Sequence, residues 1–171
     1  MNGRVAPSER SDWLAHCHVR TPGVRRLETP LDEIDRQIIR ELEADGRLSG
    51  RALAERVPIS RANAYARVER LVADGVITGF TVRVDPVKVG QTTSAYVAMT
   101  VRQHNWRDLQ ERLRAIPEVR HMALMGGEFD VMLLVRAAGN DALRRVVLEQ
   151  LQAIPGVLAT RTFLIFEDAD N

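Results

Sequence analysis

The chain has 171 residues, 45% of them apolar and 27% charged, with 24 basic against 23 acidic side chains and a formal net charge of +1. That length accommodates one large domain or two small ones, and that balance belongs to a globular protein and not to a disordered segment. The lone cysteine, Cys17, excludes an intramolecular disulfide framework. No apolar run approaches the roughly 18–20 residues of a membrane span, and the N-terminus lacks a signal-peptide apolar region, so a cytoplasmic protein with no membrane partner is expected.

Residues 1–30 show no sustained periodicity and are interrupted by Pro7, Pro22, Gly23 and Pro30. They read as a flexible tail. His16, Cys17 and His18 form one compact triplet without partners at ligand spacing, so no metal is expected there; Arg20, Arg25 and Arg26 are available for added phosphate contacts.

From Leu31 the pattern sharpens. Leu31, Ile34, Ile38, Ile39 and Leu42 form one helical face that ends before Gly46. Ser49 is placed to cap a short second helix that turns Leu53, Ala54 and Val57 inward. After Pro58 comes ISRANAYARVERLVADGVITG, residues 59–79, with Ser60 as a cap, Ala64, Val68, Leu71 and Val72 as an apolar face, and Gly75 where a left-handed C-cap belongs. Three helices with a tight turn between the second and third give the helix-turn-helix plan over residues 31–79. At 100° per residue Asn63, Arg67 and Arg70 are read as one outward stripe beside the small Ala62 and Ala66. Residues 31–79 hold eight arginines and nine acids, yet within 60–72 Arg61, Arg67 and Arg70 face only Glu69. So modest a local excess suits paired use of the helix on double-stranded DNA better than tight nonspecific binding by a monomer.

Residues 80–85 alternate Phe80, Val82 and Val84 with Thr81, Arg83 and Asp85, which predicts a strand within a linker spanning 80–93. Residues 94–171 then read strand, helix, strand, strand, helix, strand. Trp106, Leu109, Leu113 and Ile116 form the stripe of the first helix; Asp141 is placed to cap the second, which carries Leu143, Val146, Val147, Leu151 and Ile154. LRAIPEV at 113–119 recurs as LQAIPGV at 151–157, and in each copy proline ends a helix before a strand begins. Two such halves give a ferredoxin-like βαββαβ domain, so the fold class is α+β. Its helix-free face has apolar residues to bury, and a second subunit is the simplest cover, which predicts a homodimer or higher homo-oligomer.

Catalytic signals are weak: His104 and His121 have no sequence neighbours that would complete a triad, and no phosphate-binding loop is present. No enzyme activity and no cofactor are expected. The turn Gly126-Gly127-Glu128-Phe129-Asp130 places backbone donors beside two carboxylates, which suits a zwitterion such as an amino acid. A plain hairpin turn with its acids in water accounts for the same residues.

LDEIDRQIIRELEADGR, LAERVPISRANAYARVERLVADGVITGF, VDPVKVG, GEFDVMLLV and IPGVLATRTFLIF together resemble the Lrp/AsnC transcription regulators across residues 31–167. The resemblance implies a helix-turn-helix head, a linker strand, and a ferredoxin-like effector domain of the RAM type. It further implies dimers that assemble further, with amino acids or related small-molecule effectors bound between subunits. The family's DNA-reading positions fall on Ser60, Arg61, Asn63 and Arg67, to which Arg70 is added here, and its Gly-x-x-Asp effector motif falls on Gly127 and Asp130, next to Gly126 and Glu128. Asn63 is suited to reading adenine.

Two departures stand out: Pro58 replaces the glycine usual in the turn, and Ala64 with Tyr65 replaces a larger aliphatic residue. Alternatives are a tetrapyrrole decarboxylase on the same two-domain plan, using His121 with Arg120 and Arg161, and a ligand-binding assembly module without DNA binding.

Overall fold

The computed structural model describes residues 30–102 and 106–168. The expectations placed on His16, Cys17, His18, Arg20, Arg25, Arg26 and His104 lie outside the described residues. The chain divides between Val82 and Arg83 into two compact units, each with its own core.

The first unit is three helices: α1 (Glu33–Ala44), α2 (Gly50–Arg56) and α3 (Arg61–Ala73). Each begins on a residue that satisfies a free backbone donor. Asp32 accepts from the Asp35 amide at 2.8 Å while Asp35 accepts from the Asp32 amide at 3.1 Å, a reciprocal capping box. Ser49 accepts from Ala52 and Ser60 from Asn63, both at 3.2 Å. α3 ends in a Schellman closure, with the Val76 amide on the Leu71 carbonyl and the Gly75 amide on Val72. Gly75 supplies the required left-handed backbone at φ +72°. Ile38, Leu53, Ala64, Val68 and Leu71 are fully buried between the helices.

Both sequence departures have a local explanation. The Ile59 amide closes on the Val57 carbonyl at 2.6 Å across Pro58. This is the three-residue closure of a γ-turn, whose common inverse form has a central φ near −75°, within proline's range. Ala64 is small, and its neighbour Tyr65 lays its ring over the start of α2: a Cβ on Gly50 would lie 2.5 Å from the Tyr65 ring. The aromatic ring fills space at the α2–α3 contact.

The second unit runs β1 (Thr93–Val101), α4 (Trp106–Arg114), β2 (Val119–Leu124), β3 (Val131–Ala137), α5 (Asn140–Arg145) with a π-helical turn at Val146–Leu151, and β4 (Val157–Ile165). The sheet order is β2-β3-β1-β4 with every pair antiparallel, the ferredoxin-like arrangement. Ala95, Val97 and Met99 pair with Val135, Leu133 and Val131 and point to the helix-covered face. The repeat is structural: Ile116 bonds back to Leu113 and Val119 to Ile116, and Ile154 to Leu151 and Val157 to Ile154 in the same way. Leu113 and Leu151 are both fully buried.

Two expectations are corrected. Residues 80–85 are not a strand; they join no ladder among the described residues, and Val82 and Val84 are exposed. Alternation marks faces but cannot supply the second strand a ladder requires. Pro86 instead opens a turn over 86–90 whose amides at Val87 and Lys88 are held by Asp85. Asp141 does not cap its helix: Gly139 stands at that position without a side-chain bond, and Asp141 lies in the first turn, where its charge complements the helix dipole. The same helix widens after Arg145, with the Gln152 amide reaching back five residues to Val147, so that Val146, Val147 and Leu151 all stay buried.

Leu133 is central to the second core and fully buried. Leu133→Ala is expected to lower the unfolding free energy by about 2–5 kcal/mol, the usual cost of a buried leucine truncated to a cavity. Urea unfolding followed by circular dichroism measures it, and a loss below about 1 kcal/mol would contradict the packing described.

Candidate nucleic-acid interface and effector cleft

α3 presents two different surfaces beside its buried stripe. Its N-terminal end and outer side carry Ser60, Arg61, Ala62, Asn63, Ala66 and Glu69, all exposed. Small Ala62 and Ala66 let the backbone approach a surface closely. Arg61 stacks over the Tyr65 ring at 5.6 Å.

Arg67 and Arg70 do not share that surface. They lie on the flank of α3 turned toward the start of α1, where Asp35 is buried with its side chain only 1% exposed. Arg67 Nη1 donates to Asp35 Oδ1 at 2.8 Å and to Asp32 Oδ2 at 2.7 Å. Arg70 Nη2 donates to both Asp35 oxygens at 2.7 Å. The outward direction assigned to these two arginines from helical angles is therefore corrected. A wheel gives the direction of a side chain but not its neighbours, and here two carboxylates of α1 lie on that flank.

Two guanidiniums and two carboxylates cancel in charge. Burial alone would raise the Asp35 pKa; the hydrogen bonds from Arg70, the Asp32 amide and Arg67 outweigh it and hold the carboxyl at about 2, against 3.8 ordinarily. Asp32 is lowered by the Asp35 amide and then by Arg67, and Arg67 is raised by Asp32 and then Asp35. Arg67 has one further bond: its Nε donates to Asn63 Oδ1 at 3.0 Å.

The second unit contains a cleft of about 770 Å³ at one end of its sheet, lined by Val101, Arg102, Trp106, Leu124, Met125, Asp130 and Gly156 among others. Asp130 anchors it. Its Oδ2 accepts from the Val101 amide at 2.8 Å, its own amide donates to Met99, and its carbonyl accepts from Met125. Gly126, Gly127 and Glu128 are exposed and do not line the cleft; they form the turn from Met125 to Asp130, with Gly127 at φ +139°. Glu128 faces Arg161 at 3.4 Å, and Arg161 also lies over the Phe129 ring at 5.2 Å.

Sequence reasoning missed most of this lining. Trp106 packs against the core as its place in the helical stripe predicts, and from the start of α4 it also lines the cleft. Gly156 was legible in part, since it is one of the two positions at which the internal repeat differs, standing where the first copy has Glu118. Its carbonyl accepts from the Arg102 amide at 2.7 Å.

The tetrapyrrole-type set is not assembled. His121 sits on β2 and Arg161 on β4, the two outer strands, separated by β3 and β1. Three strand spacings amount to roughly 14 Å. Among the described residues no group of His, Cys, Asp and Glu is arranged to hold a metal ion, and no helix is long and apolar enough to cross a membrane.

Comparison with known proteins gives the same division of the chain. Residues 31–78 match the winged helix-turn-helix DNA-binding model and residues 94–170 the Lrp/AsnC ligand binding domain model. The HTH-type transcriptional regulator AldR of Mycolicibacterium smegmatis is 36% identical over 156 residues, covering 87% of this chain and 90% of that protein. The crystal structure of the Mycobacterium tuberculosis leucine response regulatory protein LrpA superposes with a TM-score of 0.74 at 36% identity, over 82% of this chain and 96% of that one. A Neisseria meningitidis transcriptional regulator solved as a complex with L-Met superposes with a TM-score of 0.75 at 25% identity, over 83% and 94%.

Asp35 gives this site a pH signature. With its folded pKa held at about 2 and its ordinary value at 3.8, its contribution is complete above about pH 4 and disappears as pH falls toward 2. At about 1.4 kcal/mol per pKa unit the amount is about 2 kcal/mol. Asp35→Asn is expected to remove that acid-dependent component and to destabilise the first unit by about 3–5 kcal/mol at neutral pH, because two guanidiniums lose a buried partner. Urea unfolding from pH 2 to pH 7 measures both; an unchanged acid slope in the variant would contradict the assignment.

Proposed function

The chain belongs to the Lrp/AsnC family, and from that membership we propose a cytoplasmic, sequence-specific DNA-binding transcription regulator that responds to an amino acid or a closely related small molecule. The observation that carries the reading is the exposed N-terminal end of α3, where Ser60, Arg61 and Asn63 stand beside alanines small enough to enter a major groove. A homodimer would set two such helices into successive major grooves about one helical turn apart. Arg61 serves as a phosphate or guanine contact; Arg67 and Arg70 contribute by holding α3 in place, their charge being balanced by Asp32 and Asp35.

The partner surface is the helix-free face of the sheet. Tyr96 and Phe163 lie directly opposite each other in the β1–β4 register and are both about half exposed. An apolar pair of this size is well suited to burial against a second copy.

For the effector, the cleft offers a carboxylate at Asp130 for an ammonium group and a guanidinium at Arg102 for a carboxylate. Backbone donors at Gly126 and Gly127 and the acid of Glu128 stand in the adjoining turn. The L-Met complex of the Neisseria regulator supports an amino acid as the class. The protein does no chemistry: effector binding shifts a population of assemblies and with it the DNA geometry preferred.

Selection from a random duplex pool by the full chain, followed by fluorescence anisotropy on the enriched duplex, tests the DNA half. An inverted repeat should emerge, with affinity falling as salt rises. Arg61→Ala should reduce the slope of log affinity against log salt by about 0.9 per subunit if Arg61 meets a phosphate. Enrichment of no sequence at low salt would overturn the reading. A thermal-shift panel of the twenty amino acids tests the effector half: at least one should raise Tm, and Asp130→Asn should abolish that rise. A panel with no shift would overturn it.

A further inference from the structure

Asn63 is the one side-chain amide of α3 and is exposed, and its Oδ1 is already occupied. Arg67 Nε donates to it at 3.0 Å. An Nε–H can only donate, so the amide is fixed with its oxygen toward Arg67 and its nitrogen away from it. Arg67 is itself immobilised, because its Nη1 is held at 2.7 Å by Asp32 and at 2.8 Å by Asp35. The chain of bonds thus runs from two carboxylates of α1, through one guanidinium, to the amide at the reading end of α3.

We propose that Arg67 is a positioning residue for sequence readout, pinning Asn63 so that its Nδ2 donor, and not its carbonyl, is presented to the DNA. The inference rests on the DNA-binding reading above. An unpinned asparagine can rotate its amide to offer either a donor or an acceptor, and so tolerates different bases. A pinned one must meet an acceptor, which in the major groove means purine N7, guanine O6 or thymine O4. Cytosine offers only its N4 amine at that edge and is excluded. Arg67 therefore affects which base is accepted without touching it.

The separating variant is Arg67→Lys. A lysine ammonium can still neutralise Asp32 and Asp35, but it has no Nε–H fork with which to hold Asn63 at the same time. The experiment is random-duplex selection with the full chain as wild type, Arg67→Lys, Asn63→Ala and Asn63→Asp, together with urea unfolding of each to confirm folding. Wild type should discriminate against cytosine at one base pair per half-site by about ten-fold or more, the range of a good base contact. Arg67→Lys and Asn63→Ala should both lose that discrimination at the same base pair and leave the other positions unchanged. Asn63→Asp replaces the outward nitrogen with an oxygen and should move the preference at that pair toward cytosine.

A folded Arg67→Lys that keeps the full wild-type preference would overturn the proposal. So would a variant that weakens binding equally at every position, which is the mark of a merely structural arginine. If wild type enriches no sequence, the DNA-binding reading itself fails and takes this one with it. If wild type enriches a site and only the variant pattern disagrees, the pinning alone is wrong.

Discussion

The first unit depends on one buried carboxylate. Asp35 is fully inaccessible and accepts from Arg67, from Arg70 and from the Asp32 backbone amide. Removing a carboxylate from water costs several kcal/mol, and the cost is offset only where ion pairing and hydrogen bonds are both good. Here one side chain completes the capping box of α1 and clamps two successive turns of α3. Local helix initiation and the tertiary placement of the outward-facing helix use the same two oxygens. Disturbing either therefore disturbs both.

That economy also shapes the interface. With the charges of Arg67 and Arg70 balanced by Asp32 and Asp35, the exposed end of α3 is left with an arginine, an amide, a hydroxyl and small alanines. Such a surface is poor in long-range attraction for a polyanion and rich in directional contacts, which favours discrimination over nonspecific adhesion. Its weakness as a single copy fits a second unit whose sheet has one face under helices and another bearing Tyr96 and Phe163 half exposed. The cleft at the end of that sheet is built around Asp130, whose backbone and carboxylate tie β1 to the end of β2. A ligand there would touch the elements that define the edge of the sheet.

Much of this is legible in the amino-acid sequence. The caps at Ser49, Ser60 and Gly75 depend on near-neighbour chemistry, and each is where its residue type placed it. The repeated LxAIPxV segment foretold two equivalent helix-to-strand junctions, because proline and the buried leucine act within a single turn. Failures fall where the deciding partner is distant in the chain. Arg67 lies 35 residues from Asp32, so no helical wheel could assign its direction. Residues 80–85 alternate as a strand does, but strand status depends on a neighbour they do not have among the described residues. Trp106 packs against the core as its periodicity predicts; what the stripe could not show is that the same ring also lines a cleft. Gly139 took the cap expected of Asp141 because helix starts can shift by a residue or two when no side-chain bond fixes them.

The central claim is that Asp35 and Arg67 act as one unit in placing α3. A double-mutant cycle of Asp35→Asn and Arg67→Met, read by urea unfolding at neutral pH, measures it directly. A coupling energy of about 2 kcal/mol or more is expected, since removing the second partner after the first should cost little further. Losses that add to within about 0.5 kcal/mol would show the two residues to be independent and would contradict the account.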